Sequence, residues 1–238
     1  MAKKGEKKHM KRIAKPKAIP IIDKKASKFI TRTACGPHQM KGAVPLSVLL
    51  RDMLQVAMNA KEARTILRGR MVEIDGTVRT AEDFPVGIMD AVALPKAGKY
   101  YRIVVDWKGR LKAIETTKED SGRKIMHVVR KHVAPGAKIT LTFHDGRNML
   151  GDNKVRCGDS VIVSLPKPKI LEHLKLEPGA RCLVREGKHA GSIVTLNELM
   201  ERKARRPSEA KVTGADKDEF ITVAKYLFVV DSKFGVSQ

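Results

Sequence analysis

Apolar positions after Pro45 recur at steps of three and four residues, the spacing of a buried stripe on a helix. A second helix is predicted over residues 60–68, because Asn59 stands three residues before Glu62 in the spacing of a capping box. Gly69 follows at the position where a left-handed helix cap favours glycine. The stripe of the first helix consists of Leu46, Leu49, Leu50, Met53, Leu54 and Ala57, and that of the second of Ala63, Ile66 and Leu67.

Beyond Gly69 the pattern becomes typical of strands. Apolar residues flank Asp75-Gly76, which is a strong signal for a two-residue β-hairpin. Other turn pairs, such as Pro135-Gly136 and Asp145-Gly146, separate further apolar segments. We predict strands at residues 101–105, 125–133, 139–143, 161–165, 183–184, 193–194 and 220–230. Two helices followed by many strands predict an α+β fold that is β-rich and multi-domain.

The amino-terminal segment lacks this periodicity and is strongly basic. Residues 1–42 hold 13 Lys and Arg against only Glu6 and Asp23, and prolines interrupt them. Such a stretch predicts an extended arm that orders on its partner, with a merely solvated basic tail as the alternative. Residues 164–169, with two prolines, are interpreted as a stiff linker. We therefore divide the chain into a basic arm (1–42), a helix-and-hairpin domain (43–94), a central β-rich domain (95–169) and a C-terminal β domain (170–238).

Charge narrows the class of partner. The 238 residues have a formal net charge of +22, which indicates a polyanion, either nucleic acid or an anionic membrane surface. No run of about 18 apolar residues is present, so a membrane span is not expected. The amino terminus has no apolar signal segment, and it is rich in Lys and Pro where a transit peptide would be rich in Arg and Ser. Three scattered cysteines predict neither a disulfide framework nor a zinc site, and favour a reducing cytosol.

The second predicted helix has a basic face. Lys61, Arg64 and Arg68 stand at i, i+3 and i+7, and Arg51 and Arg70 flank them. Arginine suits paired phosphate oxygens, and the nearby sequence offers only Glu62 as a countercharge. We interpret the five cations as an anion-binding surface, with an ordinary solvated helix face as the alternative.

Residues 59–76 resemble the S4-type RNA-binding domain, also called the alpha-L motif. They contain, in the order of that family, a basic residue, Ala-Arg, two apolar residues, Gly, an alternating strand and Asp-Gly. The resemblance covers roughly residues 43–94. It implies that the five cations of the basic face contact structured RNA.

Residues 179–194 contain two short predicted strands around a loop with Gly187 and Gly191, where glycine permits positive φ. Arg185, Lys188 and His189 lie in this loop. The segment resembles a KOW motif, which implies a small SH3-like barrel that contacts RNA or protein. The alternative is a plain hairpin with a basic tip.

Together, the order of these parts resembles the archaeal and eukaryotic S4-e family of small-subunit ribosomal proteins. Residues 9–14, 36–38, 75–80, 85–90 and 108–110 match segments of that family, and the lack of a long extension after residue 230 favours the archaeal type. The resemblance implies a cytoplasmic, ribosome-bound structural protein. Its expected partners are small-subunit ribosomal RNA and neighbouring ribosomal proteins, with no cofactor, metal, membrane or small-molecule substrate. It also adds Lys8, His9, Lys11 and Arg12 of the arm to the expected RNA-binding residues.

Catalysis is not expected. Pseudouridine synthases with S4-type domains have a nucleophilic Asp after Gly-Arg-Leu, whereas Lys112 occupies that position here. His127 and His132 should lie on opposite faces of a strand, and His144-Asp145 lacks a nucleophile. Aromatic residues are only 4% of the chain, which favours recognition through phosphates and shape, and Trp107 could either stack on a base or pack on the barrel.

Two other functions remain open at this point. One is a free RNA chaperone or translation factor that visits the ribosome. The other is a transcription-associated KOW protein, which the S4-type resemblance argues against.

Overall fold

The computed structural model of this chain describes residues 9–200, 207–215, 218–231 and 234, and it is β-rich with few helices. Its helices are α1 (Leu46–Val48), α2 (Ala60–Arg68) and the single turn α3 (Lys118–Ser121). The first strands are β1 (Met10–Lys11), β2 (Phe29–Ile30), β3 (Val44–Pro45), β4 (Glu73–Ile74), β5 (Thr77–Val78), β6 (Pro85–Val86), β7 (Ala91–Leu94), β8 (Lys99–Val105) and β9 (Leu111–Glu115). The others are β10 (Arg123–Ala134), β11 (Lys138–Phe143), β12 (Asn148–Leu150), β13 (Ser160–Ser164), β14 (Ile170–Leu174), β15 (Arg181–Val184), β16 (Ile193–Met200), β17 (Glu209–Thr213), β18 (Glu219–Val223) and β19 (Leu227–Val229).

Both predicted helices form. The first is shorter than its predicted apolar stripe: a turn of α1 widens into a π-helical turn at Leu49–Met53, so Leu54 and Ala57 lie beyond the helix. Leu49 and Leu50 are fully buried in it. The second has the predicted bounds, and the Asn59 side chain accepts a hydrogen bond from the backbone N–H of Glu62 at 2.9 Å. The prediction of a left-handed cap at Gly69 is wrong: its φ is −71°, and Arg70 adopts the left-handed conformation with φ 53°.

The described residues form three five-stranded antiparallel sheets and two short two-stranded ones. The first sheet has the order β5-β4-β7-β8-β9, the central sheet β12-β11-β10-β13-β14 and the C-terminal sheet β18-β17-β16-β15-β19. Asp75 and Gly76 both have positive φ (52° and 70°), so the predicted hairpin between β4 and β5 is confirmed.

Strand pairing crosses two of the predicted boundaries. β7 ends at Leu94 and pairs with β8, so the first sheet contains strands from both sides of residue 95. β13 and β14 pair in the central sheet, so residues 164–169 connect two neighbouring strands. This corrects the interpretation of that segment as a spacer between separate units, because two strands paired by hydrogen bonds belong to one sheet.

Three clusters of buried side chains form the core. The largest packs α1, α2 and the first sheet against Ile125 and Ile162 of the central sheet and Leu183 and Phe228 of the C-terminal sheet. Smaller clusters lie in the central sheet and in the C-terminal sheet. The three sheets therefore share apolar contacts.

Residues 9–42 pack on this core, which corrects the expectation of an extended arm. Ala18, Ile19 and Ile21 are buried in the largest cluster, and Ile30 joins them from β2. The carbonyl of Ala18 accepts a hydrogen bond from the backbone N–H of Leu111 at 2.9 Å. These apolar residues do not follow a helical or strand period, so the pattern alone did not indicate that they would be buried.

Candidate RNA-binding surfaces

The basic face of α2 is exposed as predicted. Lys61, Arg64 and Arg68 project from the helix, whereas Ala63 and Leu67 are buried beneath it. The helix is held in place by this buried side.

Glu62 stabilises the start of the helix. Its carboxylate accepts hydrogen bonds from the backbone N–H of Met58 and from the side-chain amide of Asn59, both at 2.8 Å. The first turn of α2 is thus capped reciprocally, and Glu62 is occupied at the end of the helix.

Two of the five cations have carboxylate partners that the sequence analysis did not identify. Arg64 Nε lies 2.6 Å from Glu82 Oε2, and this hydrogen bond raises the pKa of Arg64. Arg51 Nη2 lies 2.6 Å from Asp52 Oδ2. The expectation that only Glu62 provides a countercharge is therefore wrong, because the chain brings Glu82 back beside α2.

The other three cations of this face are Lys61, Arg68 and Arg70. All three are exposed, and none takes part in the ion pairs formed within the described residues. Arg70 leaves the helix in a left-handed conformation just beyond Arg68. The face therefore has a net positive charge at its C-terminal end.

The residues expected to bind RNA in the arm occupy different environments. Lys8 lies outside the described residues. His9 is exposed, with its ring centroid 5.8 Å from that of Phe29, and Lys11 is exposed on β1. Arg12 is buried: its Nε donates to the carbonyl of Asp23 at 2.7 Å, so its guanidinium holds the loop of the arm together instead of lying on the surface.

The predicted strand–loop–strand at residues 179–194 is formed by β15, β16 and the loop between them. Lys188 is exposed at the tip of this loop, and Arg185 lies 3.5 Å from Glu186. The ring of His189 stacks on Phe220, with centroids 4.0 Å apart, so one ring face is covered within the protein.

Gly191 allows this loop to contact the first sheet. Its φ is 81°, and a Cβ on it would lie 2.6 Å from the carbonyl carbon of Asp106 and 2.8 Å from the backbone nitrogen of Trp107. Any side chain here would force the loop away from the β8–β9 turn. The loop and that turn therefore form one continuous surface.

A buried ionic cluster, which sequence analysis missed, lies behind these surfaces. Lys124 is 1% exposed, and its Nζ lies 2.6 Å from Asp75, 2.7 Å from Asp90 and 3.3 Å from Asp145. Arg147 donates to Asp75 at 2.8 Å. The cluster joins the β4–β5 turn to the central sheet, and no local pattern around Lys124 predicts its burial.

The carboxylates of the cluster decide the charge of Lys124. Burial acts to lower the pKa of Lys124, but Asp90, Asp75 and Asp145 outweigh it and raise that pKa. Burial acts to raise the pKa of Asp90, but Lys124 and His38, whose Nε2 is 2.9 Å away, hold it well below its usual range. Burial, assisted by Asp90, raises the pKa of Asp75. The cluster is buried, so it stabilises the fold instead of meeting a ligand.

Two histidines lie near the cluster: half-buried His144 precedes Asp145, and its Nδ1 accepts a hydrogen bond from the backbone N–H of buried His127 at 3.2 Å. Burial, together with Arg185, lowers the pKa of His127 to about 4. Burial, together with Lys124, lowers the pKa of His144 to about 3. His132, further along β10, is exposed, so His127 and His132 are separated as predicted.

The described residues contain neither a cluster of metal-binding side chains nor a membrane-spanning helix. No group of three His, Cys, Asp or Glu side chains in this part of the chain is placed to hold a metal ion. Within the same residues, every helix is too short or too polar to cross a bilayer.

Comparison with known proteins places this chain in a family. Residues 97–170 match the ribosomal family S4e, and residues 4–41 match the RS4NT (NUC023) domain. The small ribosomal subunit protein eS4 of Methanothermobacter thermautotrophicus is 38% identical over 231 residues, which cover 97% of this chain and 95% of that protein. The eS4 protein of Methanosphaera stadtmanae is 36% identical over 230 residues, with coverage of 97% and 95%.

A solved structure agrees with this comparison. The crystal structure of the 30S ribosomal protein S4e from Thermoplasma acidophilum superposes with a TM-score of 0.70 at 30% identity, and covers 81% of this chain and 96% of that chain. Similarity at this level extends over nearly the whole length of the relatives, and the chain described here belongs to the ribosomal S4e family.

Proposed function

We propose that this chain is a structural constituent of the small ribosomal subunit that binds ribosomal RNA. The observation that carries this conclusion is the similarity to eS4 proteins over 97% of the chain. The net charge of +22 supports it, because cations released from phosphates on binding drive association with RNA. The protein acts by binding and positioning, as expected of its family, and not by catalysis.

The domain assignment is part of this proposal. Residues 43–94 form an S4-type RNA-binding domain, which is supported by capped α2 and the following hairpin. Residues 170–238 contain a KOW domain with an SH3-like barrel, which is supported by the β15–loop–β16 segment in a five-stranded sheet, although β14 at the start of this range pairs with the central sheet. The basic arm (1–42) and the central domain (95–169) are supported by the nearby limits of the matched ranges, 4–41 and 97–170.

RNA contacts come from cations on two surfaces and in the arm. On the α2 surface, Arg64 and Arg51 can exchange their carboxylate partners for phosphates, since these ion pairs are partly exposed. Arg12 is left out of the set because it is buried. The contact residues are Arg51, Lys61, Arg64, Arg68, Arg70, Arg185, Lys188, His189, Lys8, His9 and Lys11.

Sedimentation of a cell lysate tests the proposal. The lysate is run on a sucrose gradient before and after a high-salt wash, and this protein is quantified in each fraction. We expect about one copy per small subunit, retained through the wash. A peak in the light fractions, or complete release by the wash, would instead indicate an RNA chaperone or a translation factor.

A further inference from the structure

The turn between β8 and β9 presents the only tryptophan of the chain to solvent. Trp107 is 69% exposed. This exposure answers the question that the sequence left open, because a ring packed on the C-terminal sheet would be buried. An exposed indole is costly to hydrate and is a frequent contact residue.

Hydrogen bonds and packing fix the backbone of this turn, whereas the indole ring of Trp107 is exposed. The backbone N–H of Asp106 donates to the carbonyl of Arg110, and the backbone N–H of Gly109 donates to the carbonyl of Asp106, both at 2.7 Å. The 185–192 loop supports the turn from behind through the close approach of Gly191. The backbone that carries the indole is therefore preorganised, which lowers the entropy lost when a flat ligand binds.

Three cations lie in or beside this turn, and one of them, Lys17, comes from a distant part of the chain. Lys108 Nζ lies 4.3 Å from the ring centroid. Lys17, from the arm, reaches Gly109: a Cβ added to this glycine would lie 3.5 Å from the Nζ of Lys17. Arg110 follows in the same turn, and its charge contributes, after burial, to lowering the pKa of Lys15.

These cations are not neutralised within the protein. In the part of the chain that the structure describes, Lys17, Lys108 and Arg110 take part in no ion pair, and Asp106 is the one acid of the turn. Like charges held close together in this way favour an anionic ligand. An apolar pocket of another protein would leave them unpaired and desolvated.

We propose that Trp107 stacks on an unpaired base of ribosomal RNA while Lys17, Lys108 and Arg110 contact the flanking phosphates. Lys108 lies over one face of the indole, and a base takes the other face. Stacking of this kind tolerates every base, so the site recognises a single-stranded or bulged nucleotide by shape and charge. The proposal rests on the proposed RNA-binding function and names a contact that the two basic surfaces do not include.

Fluorescence tests the stacking directly, because all tryptophan emission of the full chain comes from Trp107. The chain is titrated with transcribed small-subunit ribosomal RNA, excited at a wavelength that tyrosine does not absorb, while anisotropy of labelled RNA reports binding. We expect quenched emission and protection from acrylamide in the complex. Emission that stays accessible to acrylamide in a complex shown to be bound would overturn the stacking and leave the proposed function intact.

Variants give a second, independent measurement. Trp107→Ala should weaken RNA binding about 5- to 150-fold, the range found when a stacking aromatic side chain is removed. Trp107→Phe should retain most of the affinity, and Val133→Ala, which shortens an exposed side chain on β10, should leave it unchanged. Equal affinities for the Trp107→Ala variant and the parent chain would overturn the proposal.

Two further outcomes separate this inference from its premise. Protection of Trp107 in assembled small subunits but not on RNA alone would assign the indole to a neighbouring protein, and the stacking proposal would be wrong. A chain that forms no complex with the RNA would remove the proposed function, and this inference with it.

Discussion

At the scale of one residue, the buried ammonium group of Lys124 is unfavourable alone and is needed by the buried carboxylates around it. An ammonium group taken out of water costs several kcal/mol, and it is tolerated only where charged partners compensate. Here Asp75 and Asp90 lie within 2.7 Å. The apolar pattern around Asp75-Gly76 predicts the turn correctly, but it does not reveal the partner of Asp75, because Lys124 is 49 positions away and no local pattern marks it as buried.

Replacement of Lys124 by methionine, which fills a similar volume without charge, should destabilise the protein by about 3–5 kcal/mol, since buried carboxylates would lose their cation. The free energy of unfolding from urea denaturation, followed by circular dichroism, measures this. The exposed Lys138→Met variant is the control and should differ from the parent chain by less than about 0.5 kcal/mol. A loss below about 1 kcal/mol for Lys124→Met would contradict the role of the cluster.

His127 gives the protein a dependence on pH. Its pKa is about 4 in the folded state against an ordinary 6.5. Between these values the unfolded chain binds the proton and the folded chain does not, so stability is fully present above the ordinary pKa. It falls as the pH drops towards 4, by about 1.4 kcal/mol per unit for one such histidine.

The variant His127→Phe should make this fall shallower. Phenylalanine keeps a ring next to Phe228, whose centroid lies 5.6 Å from that of His127, and it removes a buried nitrogen, Nδ1, that has no hydrogen-bond partner. Urea denaturation at a series of pH values measures the slope, with the exposed His132→Ala as the control. An unchanged slope in His127→Phe would show that other groups produce the acid sensitivity.

At the scale of elements, the sequence predicts a helix or a turn correctly where the residues that determine it are close together in the chain. The bounds of α2 were predicted correctly because its cap and its apolar stripe are both local. The error at Gly69 has a physical reason. The backbone N–H of Gly69 donates to the carbonyl oxygens of Leu67 and Thr65, and the left-handed conformation is adopted one residue later, at Arg70. The ion pair between Arg64 and Glu82 was missed because 18 positions separate the two residues.

The α2 surface can be tested by two opposed changes. The triple variant Arg64→Ala, Arg68→Ala and Arg70→Ala should weaken RNA binding while thermal unfolding stays cooperative, because these side chains are exposed. Glu82→Gln frees Arg64 from its carboxylate and should leave the affinity equal or higher. Filter binding at one fixed salt concentration compares them; equal weakening in both variants would mean that the ion pair, and not contact with phosphate, is responsible.

At the scale of the whole molecule, the net charge predicts the kind of partner but does not predict how the parts of the chain pack together. The net charge of +22 indicated a polyanionic partner, and the family relationship agrees. The packing of residues 9–42 was not predicted, because Ala18, Ile19 and Ile21 follow no regular period and find their neighbours only in the folded protein. Basic composition predicts the kind of partner that the arm contacts, but not how residues 9–42 pack on the core.

The affinity for RNA should fall steeply with salt. With about 6–10 phosphate contacts, the loss expected between about 50 and 200 mM salt is on the order of 10³–10⁵-fold. Binding isotherms across this range give the slope, and the triple α2 variant should have a shallower one. A flat response would contradict an electrostatic mechanism.

The buried cluster also constrains how the chain can fold as it is synthesised. Asp75 and Asp90 leave the exit tunnel before Lys124, and Arg147 follows Asp75 by 72 positions. The amino-terminal half therefore carries these aspartates without Lys124 and Arg147 until the first strands of the central sheet, β10 and β11, have emerged. We expect this half to remain open on the translating ribosome and to close late, in one cooperative step with the central sheet, instead of folding in order from its amino terminus.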